Sequence, residues 1–574
     1  MSYTVVTDFK AGMDRRRSLS ATAPGSVYTI KDGHITRGGD IEGRKTFYAK
    51  YSLPADTFGL WKAAGAIYVF GSAATPAGMP AGVNYQRLQH PDGLAMSELL
   101  DADLFDGLIY AIAKYSDDSV HHFYDGVRVD DWDAGIVRTA MVNNDGIAVH
   151  LASLVNYSAV TVGVVGNVIT ITATVVDTPF TITGETVNVD GGIDDQTLTI
   201  ATPTAAAPAV AQVSTATIGG TFEVGDSFSI IIDSKIFGAK GKPTIKGTSC
   251  MTHETKIYAL CGSLLQFCAV NGPTLWDTIE DTGAGFINVS NHDSGSDDLT
   301  GIEVFQNNLT PMARRTIQVW QSNADPDLNA KLQTIKNTGC RAHKSVISFG
   351  DFDVFYLSDS GIRSLRARSS LNTAAVNDVG TLLDPFVREQ VLSLTDDQIA
   401  DAVAVLDPID DRYWLALGNK IFVFSYFPGS KIAAWSYYEP GFTVSDAVQL
   451  NDRVYVRSGD TIYLYGGDDN VTYDSTVVEV QLPFNATSQP GTYKDLEGVD
   501  IDCTGTWDMK VLVDPNNENR YVRAGTVSGF TYNKADIGLT GNTTHFAPKL
   551  VSSGSGYKKI SSVAIHFQSE EQES

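Results

Sequence analysis

The residues best able to do chemistry in this 574-residue chain are its acids. Adjacent pairs stand at Asp117-Asp118, Asp130-Asp131, Asp194-Asp195, Asp297-Asp298, Asp396-Asp397, Asp410-Asp411 and Asp468-Asp469. Two carboxyl groups at a fixed separation suit glycoside hydrolysis, one protonating the leaving oxygen and the other acting as base or nucleophile. Most of these pairs, however, sit among Gly, Ser and Asn, where a solvated turn acid is the plainer reading. His121-His122 and His150 have no second ligand group at metal spacing. The five cysteines, Cys250, Cys261, Cys268, Cys340 and Cys503, are scattered and never form Cys-x-x-Cys, so they read as small buried hydrophobes in a reducing compartment. No Gly-Lys-Ser/Thr phosphate loop and no Gly-x-Ser-x-Gly elbow occurs. No catalytic residue, metal or cofactor is expected.

Basic residues gather in two places: Arg15, Arg16 and Arg17 with Arg37, Arg44 and Lys45, and then Arg363, Arg366 and Arg368. The rest of the chain is acidic, with 42 Lys and Arg against 67 Asp and Glu, a net charge of −25. Such a surface disfavours nucleic-acid or anionic-membrane binding. Within it, a basic patch would steer and orient an acidic neighbouring subunit, so both clusters are candidate docking residues.

The elements that must position these residues are strands. With 43% hydrophobic and 19% charged residues and 52 glycines, the composition is that of a turn-rich folded β protein. The start lacks an apolar run long enough for an export signal, so the chain is expected to fold where it is made. From Thr139 to Ser234, 96 residues carry no Lys or Arg, where the chain average would place about seven. That gap marks an inserted module, and "NVITITATV", "QTLTIAT" and "FSIIID" within it alternate as strands. Around the insert a repeat emerges, each copy a strand, a turn, a second strand and a short strand closing on a bulky residue. Trp276 to Trp320 spans 44 positions and Trp320 to Leu365 spans 45, the period of four-stranded propeller blades. Six blades are countable, seven if "AIYVFGS" near Ile67 begins another. "SDSGIRSL" at Ser358–Leu365 reads as a turn between blade strands.

Two helical interruptions are expected, Thr381–Leu394 and a shorter one from Pro326. After about Asp474, short alternating strands at even spacing suggest a terminal β-sandwich, with Ser569–Ser574 solvated. The fold class is thus mainly β: a β-propeller core with an inserted β-sandwich or barrel module, a C-terminal β-sandwich and few short helices. The expected boundaries are 1–60 for an N-terminal docking arm and strands, 61–138 for the first part of the propeller, 139–240 for the insert, 241–473 for the rest of the propeller and 474–574 for the terminal sandwich.

The run "FKAGMDRRRSLSATAPGSVYTIKDGHITRGGDIEGRKTF", Phe9–Phe47, resembles the start of the tail nozzle proteins (tail tubular protein B) of short-tailed bacteriophages. "FQNNLTPMARRTIQVWQS" through "FYLSDSGIRSL" looks like the propeller region of that family. The resemblance implies a non-enzymatic virion protein, a hexameric ring of identical subunits forming the distal tail tube. It implies a tail adaptor protein above the ring, tail fibre proteins beside it, contact with the host cell surface, and viral DNA ejected through the lumen without specific binding. It implies assembly in the host bacterial cytoplasm and a final place in the virion tail. An acidic lumen would let phosphate slide past. The competing expectation is a carbohydrate-active β-propeller, a depolymerase or a cell-surface glycan binder. Such a protein would gather acids and aromatics at the propeller's central mouth, whereas a nozzle would place its main interfaces on the flanks.

Overall fold

The computed structural model describes residues 2–20, 22, 25–90, 92–129, 143–155, 157–187, 196–221, 227–233, 235–238, 247–276, 283–292, 297–350, 353–368, 378–485, 491–530 and 538–569. The acid pairs Asp130-Asp131 and Asp194-Asp195 and the tail 570–574 lie outside these residues.

Seven sheets follow one another around an axis, and the protein is a β-propeller. In chain order their first strands are Phe58–Ala63, Met96–Phe105, Ser249–His253, Leu299–Phe305, the short Ile347–Ser348, Val403–Asp407 and Asp446–Leu450. The blade beginning at Phe58 contains "AIYVFG", Ala66–Gly71, as its second strand, so the seventh blade is real. Four blades make the same turn from first to second strand, with two successive residues at positive φ: Ala64-Gly65, Asp106-Gly107, Gln306-Asn307 and Asn451-Asp452. That backbone matches the right-handed twist of the flanking strands. The last blade is completed by Phe47–Ser52, which pairs antiparallel with Thr461–Tyr465, from Ser52 opposite Thr461 to Phe47 opposite Tyr465. A strand preceding the first blade therefore closes the ring.

Alternation along each strand fills both spaces beside it. In Leu108–Tyr115, Ile109, Ala111, Ala113 and Tyr115 pack towards the first blade, and Tyr110 and Ile112 towards the third. In Arg412–Leu417, Tyr413 and Leu415 face the fifth blade while Trp414 and Ala416 face the seventh. Trp276, Trp320 and Leu365, the residues that marked the repeat, each fill a space between two blades. Each buried side chain of this size contributes roughly 1.5–3 kcal/mol, which is why neighbouring blades stay stacked.

The sixth blade does not end at its outer strand. Lys31 of Thr29–Lys31 pairs parallel with Tyr437, and the other edge of Thr29–Lys31 pairs with Glu479–Gln481 of the terminal domain. One sheet thus runs from propeller to sandwich. The sandwich is organised by the long strand Lys494–Leu512, whose first half pairs with Lys559–Ser569 and whose second half pairs with Ala547–Ser553. Gly505, at φ +83°, lies between the halves, and a Cβ there would approach Tyr557 O at 3.0 Å. N-terminal strands join this domain, Ser2–Val6 and Ile41–Gly43 both pairing with Lys559–Ser569.

Between the second and third blades the described part of the insert forms two sheets around its own core. Ile169, Ile171, Ala216 and Ile218 oppose Phe228, Ile230 and Ile232. A helix absent from the sequence expectations, Asn144–Leu154, covers this core with Ile147, Ala148 and Leu151; the Asn143 side chain caps it by accepting from Gly146 N at 3.0 Å. The expected helix at Thr381–Leu394 is observed as Asp384–Leu392, with Pro385 in its first turn. The expected helix from Pro326 is a correction: a single 3-10 turn, Pro326–Leu328, leads into the edge strand Ala330–Lys336. Leu328 and Leu332 are exposed, so their helical spacing served no buried face, and pairing with Thr316–Gln321 decides the conformation.

Candidate functional site

Docking was expected at eight cationic residues, and the structure does not bring them together as a surface. Arg44 is buried. Its Nε donates to Asp32 Oδ1 at 2.8 Å and its Nη2 to Thr476 Oγ1 at 2.7 Å, with Asp474 Oδ2 at 3.4 Å from Nη1. Lys45 is also buried, with its Nζ 3.0 Å from Asp410 Oδ2 and 3.4 Å from Asn470 Oδ1. Arg363 grips Asp384 at 2.7 and 3.0 Å and Ser360 O at 2.6 Å, fastening the Ser358–Gly361 hairpin to the first turn of the Asp384–Leu392 helix. The charges of these three are occupied inside the chain, where a lost partner would leave a buried ion uncompensated.

The other five lie nearer the surface. Arg15 stacks over the Tyr28 and Phe386 rings at 4.2 and 4.8 Å. Arg16 makes a two-pronged bond to Asp14, at 3.0 and 2.7 Å. Burial works to raise the Asp14 carboxyl, but Arg16 outweighs it and holds the group below the usual carboxylate range. Arg17 and Arg366 are exposed, and Arg368 bonds Asp378 at 2.7 Å. Arg37, also in the first cluster, pairs with Asp411.

Around Arg44 and Lys45 lies a buried polar joint between the N-terminal run, the sixth and seventh blades and the sandwich. Asp32, at φ +53°, accepts from Arg44 and from Glu439 N at 3.0 Å. Arg412 Nη1 sits 3.0 Å from Asp410 Oδ2. The Tyr438 hydroxyl lies 2.8 Å from Nδ1 of the fully buried His34. Burial, with Arg412 and Lys45 nearby, holds His34 well below the ordinary histidine range, so it is neutral.

A second assembly occupies the propeller axis, where the inner segments of all seven blades enclose a cavity of ≈ 560 Å³. Asp101 and Asp103 share a face of the second blade's inner strand. Asp101 Oδ2 accepts from Cys250 N at 2.8 Å, and Asp103 Oδ2 from Thr252 N at 2.5 Å, both on the third blade. His343 Nε2, from the turn before the fifth blade, reaches Asp101 Oδ2 at 2.8 Å. Lys344 Nζ reaches Asp446 Oδ1 on the seventh blade at 3.0 Å. Glu303 accepts from Val304 N at 2.9 Å. Burial pushes the Asp103 carboxyl up to about 6 despite its two backbone bonds, and it raises Glu303 too. At His343 burial works downward, but the charge and hydrogen bond of Asp101, with Glu303 beyond, outweigh it and raise the imidazolium above the ordinary range. Asp101, Asp103 and Glu303 each accept a backbone N–H from the propeller wall.

Sequence reasoning passed over Asp101 and Asp103. The signal was there: two acids two residues apart inside the apolar strand "MSELLDADLF", a setting from which Asp is depleted.

No protein-family model matches the chain, and no curated protein matches it. Among solved structures the chain is similar to BamB from Moraxella catarrhalis, at 9% identity over 42% of this chain and 76% of that one, with a TM-score of 0.22. It is similar to the Pan2 WD40 domain of Neurospora crassa at 10% identity over 43% and 70%, TM-score 0.22. It is also similar to the AfRom2 CNH domain at 10% identity over 44% and 86%, TM-score 0.24. The propeller assignment rests on the pairing of this chain's own strands.

Proposed function

We propose that this protein is an architectural, non-enzymatic component of a short-tailed phage virion, a subunit of the nozzle ring at the distal end of the tail. One observation carries the reading: the N-terminal run that bears the nozzle resemblance is built into the joint between propeller and sandwich. Phe9, Met13, Val27, Ile30, Ile35 and Ile41 are completely buried in the same apolar core as Trp435 of the sixth blade and Val499, Ile501 and Trp507 of the sandwich. Those residues stiffen a body and touch no reaction centre. A propeller fused by a continuous sheet to a second domain suits a part that works by shape. A net charge of −25 suits a wall that DNA must slide past without adhering.

In this reading copies of the chain close into a six-membered ring by heterologous contacts. An adaptor ring lies above, fibres attach beside, and the conduit is the space between subunits. The axis of each propeller is bridged by its own side chains, His343 to Asp101 and Lys344 to Asp446. Negative-stain imaging of the purified full-length chain tests this: closed rings with a central hole are expected, and particles that remain single at every concentration count against it.

A second reading is favoured by the axial cluster. Asp101, Asp103 and Glu303 gather beside Trp61 at the cavity, which is the pattern expected of a carbohydrate-active propeller. Release of reducing ends from bacterial polysaccharide, abolished by Asp103→Asn or Glu303→Gln, would support it over the architectural role.

A further inference from the structure

We propose that the turn His343–Ser345 is a proton-dependent brace across the propeller axis, tying the fifth blade to the second and seventh and loosening the hub when the imidazole is neutral. The fifth blade is the anomalous one. Its first strand is only Ile347–Ser348, and the 3-10 turn His343–Ser345 replaces the rest. In a ring of seven, the second and fifth blades stand on opposite sides. Yet His343 Nε2 lies 2.8 Å from Asp101 Oδ2, and Lys344 Nζ lies 3.0 Å from Asp446 Oδ1 and 3.5 Å from Leu99 O. The turn itself is anchored. Ser345 Oγ donates to Ala342 O at 2.6 Å and accepts from Leu357 N at 3.2 Å, so the brace is bolted to the fifth blade's second strand.

The charges facing His343 explain why one proton matters. The first blade contributes Lys62, the second Glu98, Asp101 and Asp103, the fourth Glu303, the seventh Asp446, the segment leading into the sixth Asp401, and the turn its own Lys344. The third and sixth blades present Cys250–Thr252 and Val403–Leu406, which bring no carboxylate or ammonium group. With His343 charged, three cations face these acids. As pH rises, Asp103 ionises at about 6 and His343 then loses its proton. The hub gains a negative charge and loses a positive one, and the hydrogen bond to Asp101 becomes one between neutral imidazole and carboxylate. Among the described residues Nδ1 of His343 is buried without a partner, so the Nε2 contact with Asp101 is the tie that its side chain makes. The folded hub holds protons that the unfolded chain has released in this window, so its stability falls as pH rises through it.

Hydrogen exchange of the full-length protein, corrected for the intrinsic pH dependence of exchange, reads this at the amides of Cys250 and Thr252, which are bonded to Asp101 and Asp103. Between about pH 5.5 and about pH 8.5, spanning the histidine range, protection there is expected to fall roughly tenfold for each unit by which folding raises the His343 pKa. The second half of the long sandwich strand, from Thr506 to Leu512, away from the His566–Asp500 contact, serves as internal reference and should keep its protection. His343→Gln should loosen the hub at the lower pH and leave it as the original protein has it at the higher. His343→Lys, which stays charged, should keep it closed at the higher pH, and this variant also serves if His343→Gln does not fold. Equal protection at both pH values in the unaltered protein, or a His343→Lys protein that loosens with pH as the original does, overturns the proposal.

Discussion

The joint between propeller and sandwich and the hub on the propeller axis are both built on buried charges, and they answer differently to protons. The joint between propeller and sandwich relies on Arg44, Lys45 and Arg412, set against Asp32, Asp410 and Asp474. Arginine as a residue type keeps its charge across the neutral range, and His34 is held neutral by burial. The hub relies on His343 and on carboxyls that burial raises, Asp103 to about 6. Similar pairs of Asp and cation therefore give a permanent weld in one place and a titratable contact in the other. The choice of arginine or histidine decides which.

Each half of that comparison can be broken separately. The largest effect is expected from Arg44→Met, which leaves Asp32 buried without its counter-ion. About 3–5 kcal/mol of stability should be lost, the more at about pH 8 than at about pH 6, because burial already raises Asp32 and the loss of Arg44 raises it further, as read by chemical denaturation of the full chain. Arg363→Ala releases the hairpin from Asp384 and should cost about 2–3 kcal/mol by the same measurement. His343→Gln should cost about 1–2 kcal/mol while the imidazole of the original protein is protonated and close to nothing once it is neutral, because the lost contact depends on that proton. Asp103→Asn should act in the opposite sense: no gain at acid pH, where the carboxyl is already protonated, and a gain of about 1–2 kcal/mol above its raised value. Arg17→Ala, at an exposed residue, should stay within about 0.5 kcal/mol at any pH.

The blades were legible because alternating strands with recurrent bulky residues report burial on both faces, a property of local sequence. The insert was legible because a stretch with no cation stands out against a mixed background. The closing strand Phe47–Ser52 and the Lys31–Tyr437 pairing were not, since their partners lie some four hundred residues away and nothing local names them. Leu328, Leu332 and Ile335 show how an edge strand can imitate a helix: their spacing fits a helical face, but only Ile335 is buried.

The functional reading missed the hub for a geometric reason. Neighbouring acids such as Asp410-Asp411 drew attention, but that pair stands in a turn, and it is a strand that sets residues on a defined face. Acids two apart, as at Asp101 and Asp103, share one. In the basic clusters, charge alone was visible; Asp32 lies near Arg44 in sequence, but Asp410 and Asp474, which also engage Arg44 and Lys45, lie far along the chain.

Native mass spectrometry of the intact full-length chain, with reducing-end release from bacterial polysaccharide measured on the same preparation, tests the architectural role most directly. A six-fold closed assembly that leaves the polysaccharide unchanged is the predicted result. A persistent monomer that shortens the polysaccharide, and loses that activity with Asp103→Asn, would contradict it.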